Sequence, residues 1–309
     1  PNFTTFGECF SSLVMPETLV KRLGPAVFSG RSILVYGPPG NGKTVVAEAI
    51  GKVFEQTIFV PHCIEVDGQI IKIFDTTVHR VAEKRGDGAR GRSRQGEEPD
   101  PRWVECHRPV VVTGGELTLD MLDLSFNPYA RFYEAPMQMK ATGGLFIIDD
   151  FGRQLVKPQD VLNRWIVPLD KHYDFLTLHT GKKFPVPYDA LVMFSTNIAP
   201  EKLMDAGALR RIYYKIEIGP PVRADFEQIF RNVCAEHDVD LPDWLFTYLY
   251  EEFYKVRGID LARYHPRFIV EEVMAACEFE GKPVLLDREI LGDVLQNLYI
   301  THRAEEEAG

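Results

Sequence analysis

The stretch Gly37-Pro38-Pro39-Gly40-Asn41-Gly42-Lys43-Thr44 constrains this chain more than any other. Its spacing, G-x-x-x-x-G-K-[ST], is that of a loop that cradles phosphate. The glycines let the backbone turn tightly and aim its N–H groups at an anion, and a following helix adds the positive end of its dipole. Lys43 offers a point charge to the β- and γ-phosphates of ATP, and Thr44 offers a hydroxyl to Mg²⁺. The flanks agree with this reading. Ile33-Leu34-Val35-Tyr36 is an apolar run that predicts a buried parallel strand, and Thr44–Gly51 predicts a helix closed by glycine. Strand, loop and helix in that order are what a nucleotide-binding turn requires.

A chain of 309 residues has room for a full core and for one large or two ordinary domains. The net charge of −10 weighs against a protein that wraps duplex DNA. Cys9, Cys63, Cys106, Cys234 and Cys277 are odd in number and widely scattered, which fits a reducing, cytoplasmic setting rather than a disulfide framework. No apolar run approaches the ~20 residues of a membrane span. Because the chain begins at Pro1, an amino-terminal segment is expected to precede it.

Ahead of the first strand, Pro16–Gly24 predicts a helix with proline in its first turn and glycine after its end, placed where it can border a nucleotide base. Thr57–Val60 predicts a second strand, and Ile64–Phe74 a hairpin turned at Asp67-Gly68. Residues 83–102 are poor in aliphatic side chains and rich in Gly, Arg and Glu, so they read as a surface loop. Lys84, Arg85, Arg90, Arg92 and Arg94 there are available to nucleic acid or an acidic partner, although a solvated loop is the plainer reading. His62-Cys63, Cys106-His107 and His79 invite a zinc site, but each adjacent pair in a strand turns only one side chain inward, so ordinary thiols are expected. Pro109–Thr113 is a further apolar run, and the aromatic stretch Phe126–Tyr133 is expected to pack on the core.

Leu145-Phe146-Ile147-Ile148-Asp149-Asp150 is the second anchor. Four apolar residues ending in acid suit a central parallel strand whose carboxyl end faces a metal, with Asp149 holding Mg²⁺ through its water shell. Thr44 and Asp149 are 105 residues apart, more than the about 60 that two βα units need. The surplus is an insertion at about 61–140. Val161–Val167 predicts a helix, 175–186 a hairpin with its tip at His179–Lys183, and Ala190–Asn197 a buried strand that delivers Asn197 to the ligand edge of the sheet. Pro220-Pro221 marks a boundary, beyond which 226–233, 243–256, 266–280 and 287–301 predict helices.

This order of motifs, completed by Ala208-Leu209-Arg210-Arg211 and a helical end, resembles the AAA+ ATPases over about residues 10–302. Ala141-Thr142-Gly143-Gly144 and the 175–186 hairpin resemble the pre-sensor hairpin branch, which includes MoxR-like chaperone ATPases; the GAFTGA loop of its transcription activators is absent. The resemblance implies an α/β fold, a P-loop NTPase parallel sheet flanked by helices over 1–220, with an α-helical lid over 221–309. It implies a ring, often hexameric, acting on a protein client, with nucleic acid the less favoured partner. It makes Asn197 the first sensor, Arg267 the second, and Arg211, with Arg210 beside it, the arginine finger reaching a neighbouring subunit. Arg211 stands too close in sequence to the Asn197 end of the sheet to fold back onto its own γ-phosphate. Asp150 stands where the family has glutamate to polarise water, and is shorter by roughly 1.5 Å.

Overall fold

The computed structural model describes residues 3–54, 56–83 and 100–308. Its centre is a five-stranded parallel sheet of β1 (Ile33–Tyr36), β2 (Val110–Thr113), β3 (Leu145–Ile148), β4 (Leu191–Thr196) and β5 (Tyr214–Glu217), in spatial order β5-β1-β4-β3-β2. Every residue of β3 and β4 is buried, as a parallel sheet covered on both faces requires. Alternation splits the core. Ile33, Val35, Ile147 and Met193 pack against α1 (Phe3–Phe10), α2 (Glu17–Phe28) and α3 (Lys43–Lys52). Leu34, Phe146, Ile148 and Phe194 face the other way, onto Trp165 of α4 (Pro158–Lys171).

Three sequence expectations need correction. Helix α2 does not stop at Gly24. It runs through Gly24-Pro25 to Phe28, because Leu23, Ala26 and Val27 continue a buried stripe, and it turns out at Gly30 with φ 65°. Thr57–Pro61 is a strand but not the second strand of the main sheet; it pairs antiparallel with Trp103–His107 outside it. The strand that extends the main sheet is Val110–Thr113, which returns from within the 61–140 stretch to lie beside β3. The last helix also runs on, from Arg288 to Ala308.

The rest of that stretch folds as its turn chemistry dictates. Cys63–Val66 and Gln69–Lys72 form the hairpin, with Asp67 and Gly68 at φ 55° and 75° supplying the two-residue turn. Phe132–Glu134 and Ser125–Asn127 complete a four-stranded sheet. Tyr133 is buried there, whereas Tyr129 at the connecting tip is 97% exposed. The later hairpin, Tyr173–Thr177 with Lys183–Pro187, buries Leu176, Phe184 and Val186 against Val60, Ile71 and Tyr133. At its tip His179 stacks on Phe126 at 4.4 Å and meets the Tyr133 hydroxyl, while Lys182 and Lys183 stay exposed. The arginine-rich positions Lys84, Arg85, Arg90, Arg92 and Arg94 lie outside the described residues.

One ion pair fastens hairpin to core. Arg164 of α4 donates to both Asp174 oxygens, at 2.6 and 3.0 Å, and to the Leu122 carbonyl at 3.1 Å. The Asp174 side chain is 3% exposed. Removing one partner of such a pair leaves the other charge desolvated. Asp174→Ala is expected to cost about 3–5 kcal/mol in urea unfolding, against the few tenths typical of a surface change.

Beyond residue 220, α5 (Arg223–Glu236), the helical stretch 245–257, α6 (His265–Glu280) and α7 (Arg288–Ala308) enclose a separate apolar cluster of Phe226, Phe230, Leu249, Phe253, Ile269 and Leu295. The expected plain helix at 243–256 carries a π-helical middle, Tyr248–Tyr254, which puts Leu249, Tyr250, Phe253 and Tyr254 all inside. Among the described residues no helix is long and apolar enough to cross a membrane.

Candidate nucleotide site

The cleft lies at the carboxyl edge of β1, β3 and β4, between the sheet and the helical end, and encloses about 800 Å³. The loop from Gly37 to Thr44 forms its floor. Gly37 and Gly40 have φ 144° and 70°, a region that favours glycine. A Cβ at Gly37 would run into the Ile218 carbonyl, and one at Gly40 into the Tyr264 ring. Lys43, the first residue of α3, is 7% exposed, and its Nζ donates to the carbonyls of Gly37 at 3.0 Å and Pro38 at 2.8 Å. The loop therefore curls around its own lysine, which already faces the concavity lined by Pro39, Gly40, Asn41 and Gly42.

Two carboxylates follow β3. The Thr44 hydroxyl donates to Asp149 Oδ2 at 2.8 Å, so the two oxygens expected to share a cation already touch across 105 residues of chain. One hydroxyl and one carboxylate suit Mg²⁺, which keeps most of its waters, rather than a cation that wants a full protein cage. Asp150 takes a left-handed backbone, φ 47°, where aspartate is tolerated better than most residues. That turn directs its Oδ1 to the Asn197 amide, 3.4 Å away at the end of β4. Gln154 braces the turn, donating to the carbonyls of Asp149 and Asp150 at 3.1 and 3.2 Å.

The structure thus brings together the loop, Asp149, Asp150 and Asn197. Arg267 joins them from α6, lining the same cleft, where Glu236 and Glu271 hold its guanidinium at 2.6 and 3.2 Å. Those two hydrogen bonds raise its affinity for the proton still further. Arg211 stands apart. Its carbonyl accepts from the Ser32 hydroxyl at 3.1 Å, at the amino end of β1, so it lies at the sheet edge opposite the phosphate loop. Asp170 holds its Nε at 3.3 Å and the Gly207 carbonyl its Nη1 at 2.8 Å, whereas Arg210 is exposed. The zinc candidates do not converge. Cys63 is exposed, burial pushes the Cys106 thiol up, and His79 is held between the Asp75 N–H and the Lys140 carbonyl. Among the described residues no group of three or more His, Cys, Asp or Glu could hold a metal.

Sequence reasoning missed Arg263 and Tyr264. The Arg263 N–H donates to the Asn41 side chain at 3.3 Å, the Tyr264 N–H to the Gly40 carbonyl at 3.1 Å, and the Tyr264 ring covers Gly40. The lid therefore rests directly on the phosphate loop. Pro266 announces the helix start, but nothing local shows that the two residues ahead of it meet a loop 222 positions away. On the side toward α2 the cleft is lined by Leu13, Val14 and Met15 of the link just before that helix.

Comparison with known proteins bears on the fold. NtrX from Brucella abortus, solved in complex with ATP, superposes with a TM-score of 0.55 at 14% identity, over 96% of this chain and 59% of that one. A RuvB variant from Thermotoga maritima gives 0.53 at 12% identity, over 94% of this chain and 71% of that one. A vesicle-fusing ATPase of Dictyostelium discoideum is 49% identical over 47 residues, and the vesicular-fusion protein sec18 of Schizosaccharomyces pombe 45% over 47. Each of these two matches covers 15% of this chain and only 6% of the relative. Residues 222–297 match a domain of unknown function, DUF8689.

The chain has the AAA+ ATPase fold, a parallel sheet flanked by helices with a helical lid at its carboxyl end.

Proposed function

We propose that this protein binds ATP with Mg²⁺ beneath the lid and hydrolyses its β–γ bond, in a head-to-tail ring that remodels or assembles a protein partner.

 We take the ring to be hexameric and the two units to divide at 220/221, with residues 1–220 as the nucleotide-binding domain and 221–309 as the lid. The reading is carried by one arrangement: Thr44 against Asp149 at 2.8 Å and Asn197 against Asp150 at 3.4 Å, side by side in the cleft above the phosphate loop.

The roles follow from chemistry. The loop N–H groups and Lys43 hold the β- and γ-phosphates, and Thr44 and Asp149 hold the cation through oxygen. When bound, Mg²⁺ would supply charge neutralisation to the phosphate tail. Asp150 accepts a hydrogen bond from the attacking water and takes up its proton. Asn197 fixes that carboxylate, and Arg267 supplies a lid cation. We assign Arg211 to a neighbour's site rather than its own, and its position at the amino end of β1 supports that reading. The hairpin tip with Lys182 and Lys183 and the exposed Tyr129 face away from core packing and are the surfaces we assign to the client.

A second reading, a binder gated by ATP that scarcely turns over, is favoured by one observation, the short Asp150 where a longer carboxylate would reach further. The two separate by substitution. Asp150→Asn is expected to keep ATP affinity within about twofold and to lose roughly 10²-fold or more in phosphate release, the range of a general base. Asp150→Glu should keep or raise the rate. A wild type without turnover that Asp150→Glu restores would establish the gated binder instead.

A further inference from the structure

Arg267 faces the cleft already engaged. Its Nη2 lies 2.6 Å from Glu236 Oε2 and its Nη1 3.2 Å from Glu271 Oε1, and all three side chains line the cavity that Lys43 and Thr44 line from below. The two carboxylates differ in origin. Glu271 sits four residues along the same helix, an ordinary surface pair. Glu236 is the last residue of α5 and reaches Arg267 across 31 positions of chain. Two carboxylates around one guanidinium leave a net negative wall where a polyphosphate must approach. The other arginine on this wall, Arg263, is tied to the Val14 carbonyl and to Asp225 at 3.6 Å.

We propose that Glu236 is a competing partner for Arg267: it holds the guanidinium on the lid while the cleft is empty and yields it to the phosphate tail, so that it sets how strongly the site prefers a nucleoside triphosphate to a diphosphate. The inference rests on the nucleotide reading of the cleft. A phosphate tail offers the guanidinium charge-assisted hydrogen bonds of the same kind that Glu236 offers, so binding is an exchange of partners rather than a new contact. The displaced carboxylate then stands beside the phosphates as a like charge. Both effects oppose binding, and the repulsion grows with the charge of the tail. Glu236 is therefore a positioning residue that acts through Arg267.

The test is nucleotide affinity by isothermal titration calorimetry with ATP and ADP, both with Mg²⁺, on the full chain. Glu236→Gln keeps the shape of the side chain and removes its charge. ATP is expected to bind about fivefold tighter, the upper end for a half-exposed ion pair, and ADP to tighten less. In an Arg267→Ala background the same substitution should change ATP affinity by less than about twofold, within the non-additivity expected of independent sites. Unchanged ATP affinity, equal or greater tightening for ADP, or a full effect that persists without Arg267 would each overturn the exchange. Absence of ATP binding by the unsubstituted protein would overturn the nucleotide reading itself, and this inference with it.

Discussion

Lys43→Ala is expected to weaken ATP binding by roughly 10²-fold, the value of a charge-assisted contact of about 3 kcal/mol. The side chain is 7% exposed and lines the cavity from within the loop. Its amine also satisfies the Gly37 and Pro38 carbonyls, and the substitution therefore loosens the loop as well as removing the charge. Calorimetric titration of ATP into Lys43→Ala, beside a thermal melt to show that the fold persists, checks this. Wild-type affinity in a folded Lys43→Ala protein would remove the phosphate-loop assignment.

The second large effect concerns Arg211. Its place at the amino edge of β1, opposite the loop, sets it apart from its own phosphate loop. In the proposed ring a head-to-tail neighbour would bring that edge to a cleft, and heterologous contacts of this kind close into rings. An arginine supplied in trans is worth roughly 10³–10⁵ in rate. Arg211→Ala should therefore abolish turnover while leaving ATP affinity nearly unchanged. Mixing Arg211→Ala with Lys43→Ala subunits should recover part of the activity, because some interfaces then pair an intact loop with an intact finger. No recovery on mixing, in assemblies shown by light scattering to contain both subunits, would show that Arg211 does not act across an interface. Asp170 and the Gly207 carbonyl now hold this side chain, whereas Arg210 is exposed, so Arg210→Ala is the control that tells the two apart.

What could be read from sequence was what short-range chemistry decides. The phosphate loop, the acid after β3 and the Asn197 strand each announce themselves within about ten residues, since glycine spacing, apolar runs and terminal acids are local signals. The Asp67-Gly68 turn belongs with them, for the same reason. The misreadings that matter for the site are of contacts between distant segments. Thr57–Val60 and Val110–Thr113 are equally apolar, and only pairing with β3 decides which of them enters the main sheet. Gly24-Pro25 carries every sign of a helix end, yet the burial of Ala26 and Val27 against the sheet overrides it. The contact of Arg263 and Tyr264 with Asn41 and Gly40 has no local signature at all.

The central claim is that this chain hydrolyses ATP at a site completed by a second copy. Steady-state phosphate release with ATP and Mg²⁺, measured across a wide range of protein concentration beside the Asp150→Asn variant, tests it most directly. Specific activity should climb with concentration as subunits assemble and should stay roughly 10²-fold or more lower in Asp150→Asn throughout. Turnover that is the same per chain at every concentration, or that is undiminished in Asp150→Asn, would contradict it.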